Sequence, residues 1–154
     1  MKKKLFDPNA RPIITPEAVY GAKGDHADIC LVILSHEIYS HILNSFDCRQ
    51  VGMLNSCCGP STVHVFEYKG SGIAFFQAYM GSAVSSMQVI EANWQTGAEK
   101  FIMFGSAGAL DDAMTRGKYV IPTEAFRGEG TSQYYAEPAE YIGIPGAAKL
   151  AEYI

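Results

Sequence analysis

The chain is short of charge, of cysteine and of long apolar runs, and each shortage closes off a class of function. Charged residues make up 18% of its 154 positions, and the 16 acidic side chains outnumber the 12 basic ones, for a formal net charge of −4. A surface that tracks a phosphodiester backbone needs a basic excess or stripe, so nucleic acid is not an expected partner. The basic cluster Lys2-Lys3-Lys4 is followed only by Leu5-Phe6 before Asp7-Pro8. That leaves no apolar core for a secretory signal. No apolar run approaches the length of a membrane span, so a membrane is not an expected partner either, and a cytoplasmic location is the expectation. The four cysteines, Cys30, Cys48, Cys57 and Cys58, form no C-x-x-C pair. Zinc ribbons and thioredoxin-like redox motifs are therefore not indicated, and adjacent cysteines rarely bridge each other, so reduced thiols are expected. His36 and His41 stand five apart, which turns them away from each other on a helix, and His26 and His64 are isolated. No metal site is expected.

What remains is an ordinary globular composition. Hydrophobic residues make up 48% of the chain, and its length suits one domain with a real core. Residues 1–27 carry Pro8, Pro12, Pro16, Gly21 and Gly24 and read as a surface-running arm, with the domain proper over 28–154. Ile29 to Leu34 is continuously apolar, as in a strand covered on both faces. Ser35 is placed to cap a helix over about 36–46, with Glu37 in its first turn and Ile38, Ile42 and Phe46 on the packed face. Val51 to Leu54 allows a short strand. Thr62 to Tyr68 alternates as a strand, Lys69-Gly70-Ser71-Gly72 is a hairpin signal, and Ile73 to Met80 is the returning strand. Ser82 is expected to cap a helix over 83–96 with Val84, Met87, Ile90 and Trp94 as its buried stripe and Gly97 ending it. This order predicts an α/β protein with a mixed sheet.

The stretch from Lys100 to Ser132 is the most informative. Phe101-Ile102-Met103-Phe104 reads as a buried strand that breaks at once into Gly105-Ser106-Ala107-Gly108. Glycines three apart permit a positive φ or a close ligand approach, and the small residues between them leave backbone donors uncovered. Lys118 to Pro122 reads as a second strand, and Arg127-Gly128-Glu129-Gly130-Thr131-Ser132 as a polar loop in which Arg127 and Glu129 pair and order the backbone. Such loops at strand ends are where α/β proteins build ligand sites. Tyr134 and Tyr135 are expected to pack at a loop or subunit contact, and Gln77 to be a buried, satisfied amide. Ala147 to Ile154 reads as a helix in which the sequence stops, so the expectation is a domain that continues past residue 154.

Gly105-Ser106-Ala107-Gly108-Ala109, Gly117-Lys118-Tyr119-Val120-Ile121-Pro122 and Arg127-Gly128-Glu129-Gly130-Thr131-Ser132, in that order, resemble the nucleoside phosphorylase superfamily, particularly its uridine-phosphorylase-like branch. Leu31 to Ser35 then corresponds to the family's first strand and phosphate loop, and Gln77 to Ser82 to the strand and glycine turn before a long helix. The resemblance implies a three-layer α/β phosphorylase-like fold with a mixed central sheet, here covering the N-terminal portion of the family's domain. It implies phosphate-dependent cleavage of a ribonucleoside to base and ribose 1-phosphate, in nucleoside salvage. No cofactor is then needed beyond phosphate as co-substrate, and the partners are a small nucleoside and a homo-oligomer built from dimers. Carried over residue by residue, Ser106 and Ser35 fall on phosphate, and Ser106, Ala107, Gly108 and Met80 on substrate.

The sequence also departs from the family pattern. The phosphate-loop glycine is Ser35, and the arginine that follows it is Tyr39. The arginine before the Gly-Ser loop is Met103, and the one a neighbouring subunit donates would fall near Gly59. The family's subunit-crossing ribose histidine has no counterpart before His26, and its Met-Glu ribose motif lies beyond residue 154. Each charged hydrogen bond to phosphate contributes about 1.5–3 kcal/mol, so the loss of three arginines implies impaired phosphorolysis by this chain. Two alternatives follow from the same residues: a phosphate-independent nucleosidase-like hydrolase, and a non-catalytic relative that binds nucleosides or assembles with others.

Overall fold

The structure, a computed structural model, describes residue 7 and residues 9–153. These fall into two compact units divided between Ser106 and Ala107: one is Arg11–Ser106, the other contains the described residues from Ala107 onward and those before Arg11. The boundary falls within the glycine-rich loop.

The larger unit is built on a five-stranded sheet. Its strands are β1 (Ile29–Ile33), β2 (Arg49–Ser56), β3 (Gly59–Tyr68), β4 (Ser71–Gln77) and β5 (Lys100–Phe104), in the spatial order β2-β3-β4-β1-β5. β1 pairs parallel with both β4 and β5, while β2-β3 and β3-β4 are antiparallel hairpins. The sheet is mixed, as expected. The central register aligns Ile33 with Gln77 on one side and with Phe104 on the other. The β3–β4 hairpin turns on Lys69 and Gly70, both at positive φ (50° and 79°), as a two-residue turn requires.

Helices cover both faces. β1 sends Cys30 and Val32 to one side, where they join Leu54, Val63, Val65, Ala74, Phe76 and Ala92 in the larger core. Ile33 faces the other side with Phe66 and Phe75, packed by Leu31, Ile38 and Ile42. Side chains alternate across a strand, so an apolar residue at every β1 position means both faces are dry. Helix α2 (His36–Ser45) covers the smaller core, and α3 (Ser82–Thr96) the larger one. Ile38 and Ile42 of α2 face inward as the four-residue spacing predicts, and Phe46, just past its end, stacks on Phe66 with ring centroids 4.4 Å apart. The unit is thus a three-layer α/β sandwich.

Three expectations fail here. The buried positions of α3 are Gln88, Ala92 and Thr96, not Val84, Met87, Ile90 and Trp94; Met87 and Ile90 face solvent. Each side chain of the polar pair is hydrogen-bonded through its oxygen, while Gln88 Nε2 is buried without a partner among the described residues. Gln88 Oε1 accepts from Tyr79 N–H at 3.0 Å, and Thr96 Oγ1 donates to Ala92 O at 2.6 Å while accepting from Ala98 N–H. Gly81, not Ser82, occupies the position preceding α3, with φ of 116° that a side chain would strain. Lys118 to Pro122 is not a strand: Tyr119 and Val120 are exposed, and the small sheet of the second unit pairs β6 (Glu124–Phe126) with β7 (Tyr141–Gly143) instead. An apolar run without an alternating partner strand has no place to bury itself.

One smaller expectation meets a definite outcome. Gly97 ends α3 in the left-handed conformation, as predicted. The stretch before β1 is not wholly free: α1 (Pro16–Tyr20) forms, Gly24 and His26 N–H groups donate to Trp94 O and Thr96 O, and Trp94 Nε1 donates to Gly21 O at 2.9 Å. All four cysteines are free thiols. Among the described residues no helix is long and apolar enough to cross a membrane, and no group of three or more His, Cys, Asp or Glu could hold a metal ion.

Core and surface assignments can be separated by unfolding. Phe75→Ala, at a fully buried position, is expected to lower stability by about 3–5 kcal/mol. Val120→Ser, at a position 66% exposed, is expected to change it by less than about 0.5 kcal/mol. Denaturant melts of the two variants check both values.

Candidate functional site at the strand ends

The parallel trio β4-β1-β5 ends at one edge of the sheet, and each strand there releases a loop. After β1 come Leu34 and Ser35, after β4 come Ala78 to Gly81, and after β5 come Gly105 and Ser106. Leu34 N–H donates to Phe104 O and Ala78 N–H to Ile33 O, so the pairing runs to the last residue and sets the loops side by side. α2 and α3 both start at this edge. Their unpaired N–H groups and dipoles make it a favourable place for negative charge.

Ser35 caps α2, its Oγ accepting from Ile38 N–H at 3.4 Å and donating to Glu37 Oε2 at 2.7 Å. That hydrogen bond, first among the causes, holds the Glu37 carboxyl below its ordinary range. The negative charge at the helix start is therefore supplied by the chain itself. His36 Nδ1 lies 3.2 Å from Gln77 Oε1, tying the first turn of α2 to the end of β4. Gln77 is half-buried, and its carbonyl accepts from Ser61 Oγ at 2.7 Å.

The β4 loop is held by α3 from behind. Gln88 takes the Tyr79 N–H, and Ser85 Oγ donates to Tyr79 O at 2.6 Å. Both backbone groups of Tyr79 are fixed, and the exposed Met80 and then Gly81 follow. Gly105, after β5, is not at positive φ; its small size serves the approach of Leu34, whose Cβ would lie 3.0 Å from a Cβ placed there. Ser106 is exposed at the end of the same unit. Ala107 and Gly108 are exposed too and belong to the second unit.

A cleft of about 280 Å3 opens beside this edge, lined by Tyr39, Pro60, Ser61, Thr62, Gln77, Ala78 and Tyr79. No charged side chain lines it. Tyr39, where the resemblance places an arginine, packs on Phe75 with ring centroids 5.6 Å apart and brings its hydroxyl within 3.3 Å of His64 Nδ1. Burial raises the Tyr39 phenol and lowers the His64 imidazole, so both are neutral near pH 7. Met103, the other arginine position, is exposed on β5, and Gly59 opens β3. The sequence reading missed Ser61 and Thr62 of the cleft, and His64 beside Tyr39. The alternation of Thr62-Val63-His64-Val65 could have found two of them, because Val63 and Val65 in the larger core put Thr62 and His64 on the other face.

In the second unit Arg127 is only 7% exposed. Its Nε donates to Ser132 Oγ at 2.9 Å, one Nη to Glu137 O, and the other to Ser132 O at 2.6 Å and Ala136 O at 3.4 Å. Glu129 accepts from the Thr131 and Ser132 N–H groups. Both side chains thus hold Ser132, Arg127 through its hydroxyl and carbonyl and Glu129 through its N–H, within a short 3-10 turn over Thr131–Tyr134. Tyr134 and Tyr135 are exposed.

A three-layer sandwich whose parallel strand ends carry a capped helix, a glycine turn and a Gly-Ser loop defines the class of fold, and comparison with known proteins gives the family. The family model of the Phosphorylase superfamily matches residues 40–153, and the chain belongs to that superfamily. It is 32% identical over 87 residues to the guanosine phosphorylase of Halorubrum lacusprofundi, a match that covers 56% of this chain and 35% of that protein. The chain thus spans about a third of this curated relative's length. Helicobacter pylori MTAN shares the fold, with a TM-score of 0.58 at 17% identity over 81% of this chain and 60% of that one.

Two measurements test the electrostatics of the edge. Glu37→Gln removes the carboxylate that Ser35 Oγ bonds at the start of α2 and is expected to lower the thermal midpoint at pH 7, an effect that should fade as pH drops through the ordinary carboxylate range, read by thermal melts. His64 binds its proton less readily folded than unfolded. Stability should therefore fall as pH drops through the ordinary histidine value of 6.5 toward the lower folded value. That loss should shrink in His64→Gln, followed by thermal melts between pH 7.5 and pH 5.

Proposed function

We propose that this chain supplies the strand-end part of a ribonucleoside-cleaving site, and that the reaction is phosphorolysis in nucleoside salvage. A phosphate oxygen bonds to C1′ of the ribose while the C1′–N bond breaks and leaves its electron pair on the base, giving free base and ribose 1-phosphate. The observation that carries this reading is the convergence of three parallel strand ends on the starts of α2 and α3, with Ser106 released from the third. That edge favours an anion by geometry. The guanosine phosphorylase relative adds a named activity of the same kind.

Phosphate would be bound weakly. The side chains in the arginine positions are Tyr39, Met103 and Gly59, and Glu37 adds a like charge, so backbone donors and Ser106 must do what charged forks do elsewhere. A specific observation favours a second reading, hydrolysis without phosphate: the cleft beside the edge is lined by neutral polar groups, which suit water better than a dianion. The match covers 35% of the relative, and the reading extends to this chain an activity named for the whole of that protein. A cytoplasmic homo-oligomer built from dimers is the assembly that goes with both readings.

Purified chain is to be assayed for base release from guanosine and from uridine, with and without phosphate. Phosphate-dependent release, reduced about tenfold or more in Ser106→Ala, supports phosphorolysis. Release that is indifferent to phosphate supports the hydrolase instead. Thermal stabilisation by nucleoside with no release at all would sink both and leave a binding protein. Tyr39→Arg is expected to lower the KM for phosphate if the first reading holds.

A further inference from the structure

The hairpin between β2 and β3 turns on Ser56-Cys57-Cys58-Gly59, and its two thiols have no part in the site described above. Both are free and exposed. The turn that carries them is fixed. Cys58 N–H donates to Ser56 Oγ at 3.3 Å, Ser56 Oγ donates to Gly59 O at 3.0 Å, and Gly59 takes a φ of 118° with Tyr79 Oη 3.1 Å from where its Cβ would be. Pro60 O accepts from Tyr79 Oη at 3.3 Å, which fastens the strand just past the turn. The thiols are also close to each other. Loss of hydration pushes the Cys58 thiol up, and the hydrogen bond and charge of Cys57 push it further.

We propose that Cys57 and Cys58 form a two-sulfur chelate for a thiophilic centre, namely a soft monovalent cation such as Cu(I).

Geometry selects this chemistry over the alternatives. A disulfide needs its Cα atoms about 4.4–6.8 Å apart, whereas neighbours across a trans peptide sit at about 3.8 Å, so direct S–S closure strains the turn. A centre inserted between the sulfurs enlarges the ring and removes that demand. Zinc is excluded on ligand number, since it takes four and the described residues offer no group of three or more His, Cys, Asp or Glu. Cu(I) accepts soft thiolates and is satisfied with two. Binding releases protons: two thiols and one Cu(I) give a bis-thiolate complex and two H+, with no change of oxidation state.

Phenylarsine oxide is the first probe, because it condenses with two neighbouring thiols to form two As–S bonds and release water. Intact-mass analysis of the native chain in excess 2-mercaptoethanol should show a single phenylarsenic adduct, reversed by a small dithiol. The adduct should be lost in Cys57→Ser and in Cys58→Ser but kept in Cys48→Ser. Circular dichroism melts matching wild type would show that the serine variants are folded. An adduct that survives in either hairpin variant, or none in wild type, overturns the chelate. The second probe is Cu(I) itself, titrated anaerobically against a chromophoric chelator. Wild type should withdraw one equivalent and Cys58→Ser none. An arsenical adduct without Cu(I) uptake would overturn the cation assignment.

Discussion

Everything at the candidate site depends on the backbone pairing of one five-residue strand. β1 bonds in parallel to β4 and to β5, and through it Ile33 is aligned with Gln77 and Phe104 at once. The strand can do this only because it is dry on both faces, with Cys30 and Val32 in one core and Ile33 in the other. A shift of one residue would exchange the two faces, and both cores would have to be rebuilt. The register is therefore locked by packing, and the loops after the three strands inherit fixed positions without needing contacts of their own.

The polar side chains of α3 extend that control past the sheet. Gln88 and Ser85 hold the two backbone groups of Tyr79, and Gln95 exchanges two hydrogen bonds with the backbone of Met53 on β2. These amides look misplaced in a buried helix face. Their function is to satisfy strand and loop groups that the sheet leaves open, at a net gain of about 1 kcal/mol for each bond and a larger penalty if one is left unmade.

How much of this was legible in the sequence follows from the same two facts. β1, α2 and the β3–β4 hairpin could be read because their apolar periodicities match the faces they bury, and the glycine motifs were enough to name the family. The buried stripe of α3 was not legible, because its inward residues are Gln88, Ala92 and Thr96 while Met87 and Ile90 point out. Hydrophobicity alone reports the wrong side of such a helix. The supposed strand at Lys118–Pro122 misled for the converse reason, since its apolar side chains are exposed. Ser61 and Gln77 meet across paired strands, a closeness that spacing along the chain does not carry.

The clamp on Tyr79 has a spectroscopic consequence. The helix that holds this residue at one end carries the chain's single tryptophan near the other, with Trp94 Nε1 bonded to Gly21 O. At about 1.5 Å of rise per residue, the indole lies about 9–14 Å along the rod of α3 from the Gln88 and Ser85 side chains that hold Tyr79. A displacement of the Tyr79–Gly81 turn that tilts the rod would alter the indole's surroundings, so intrinsic fluorescence, with no competing tryptophan, is a built-in gauge of events at the strand ends.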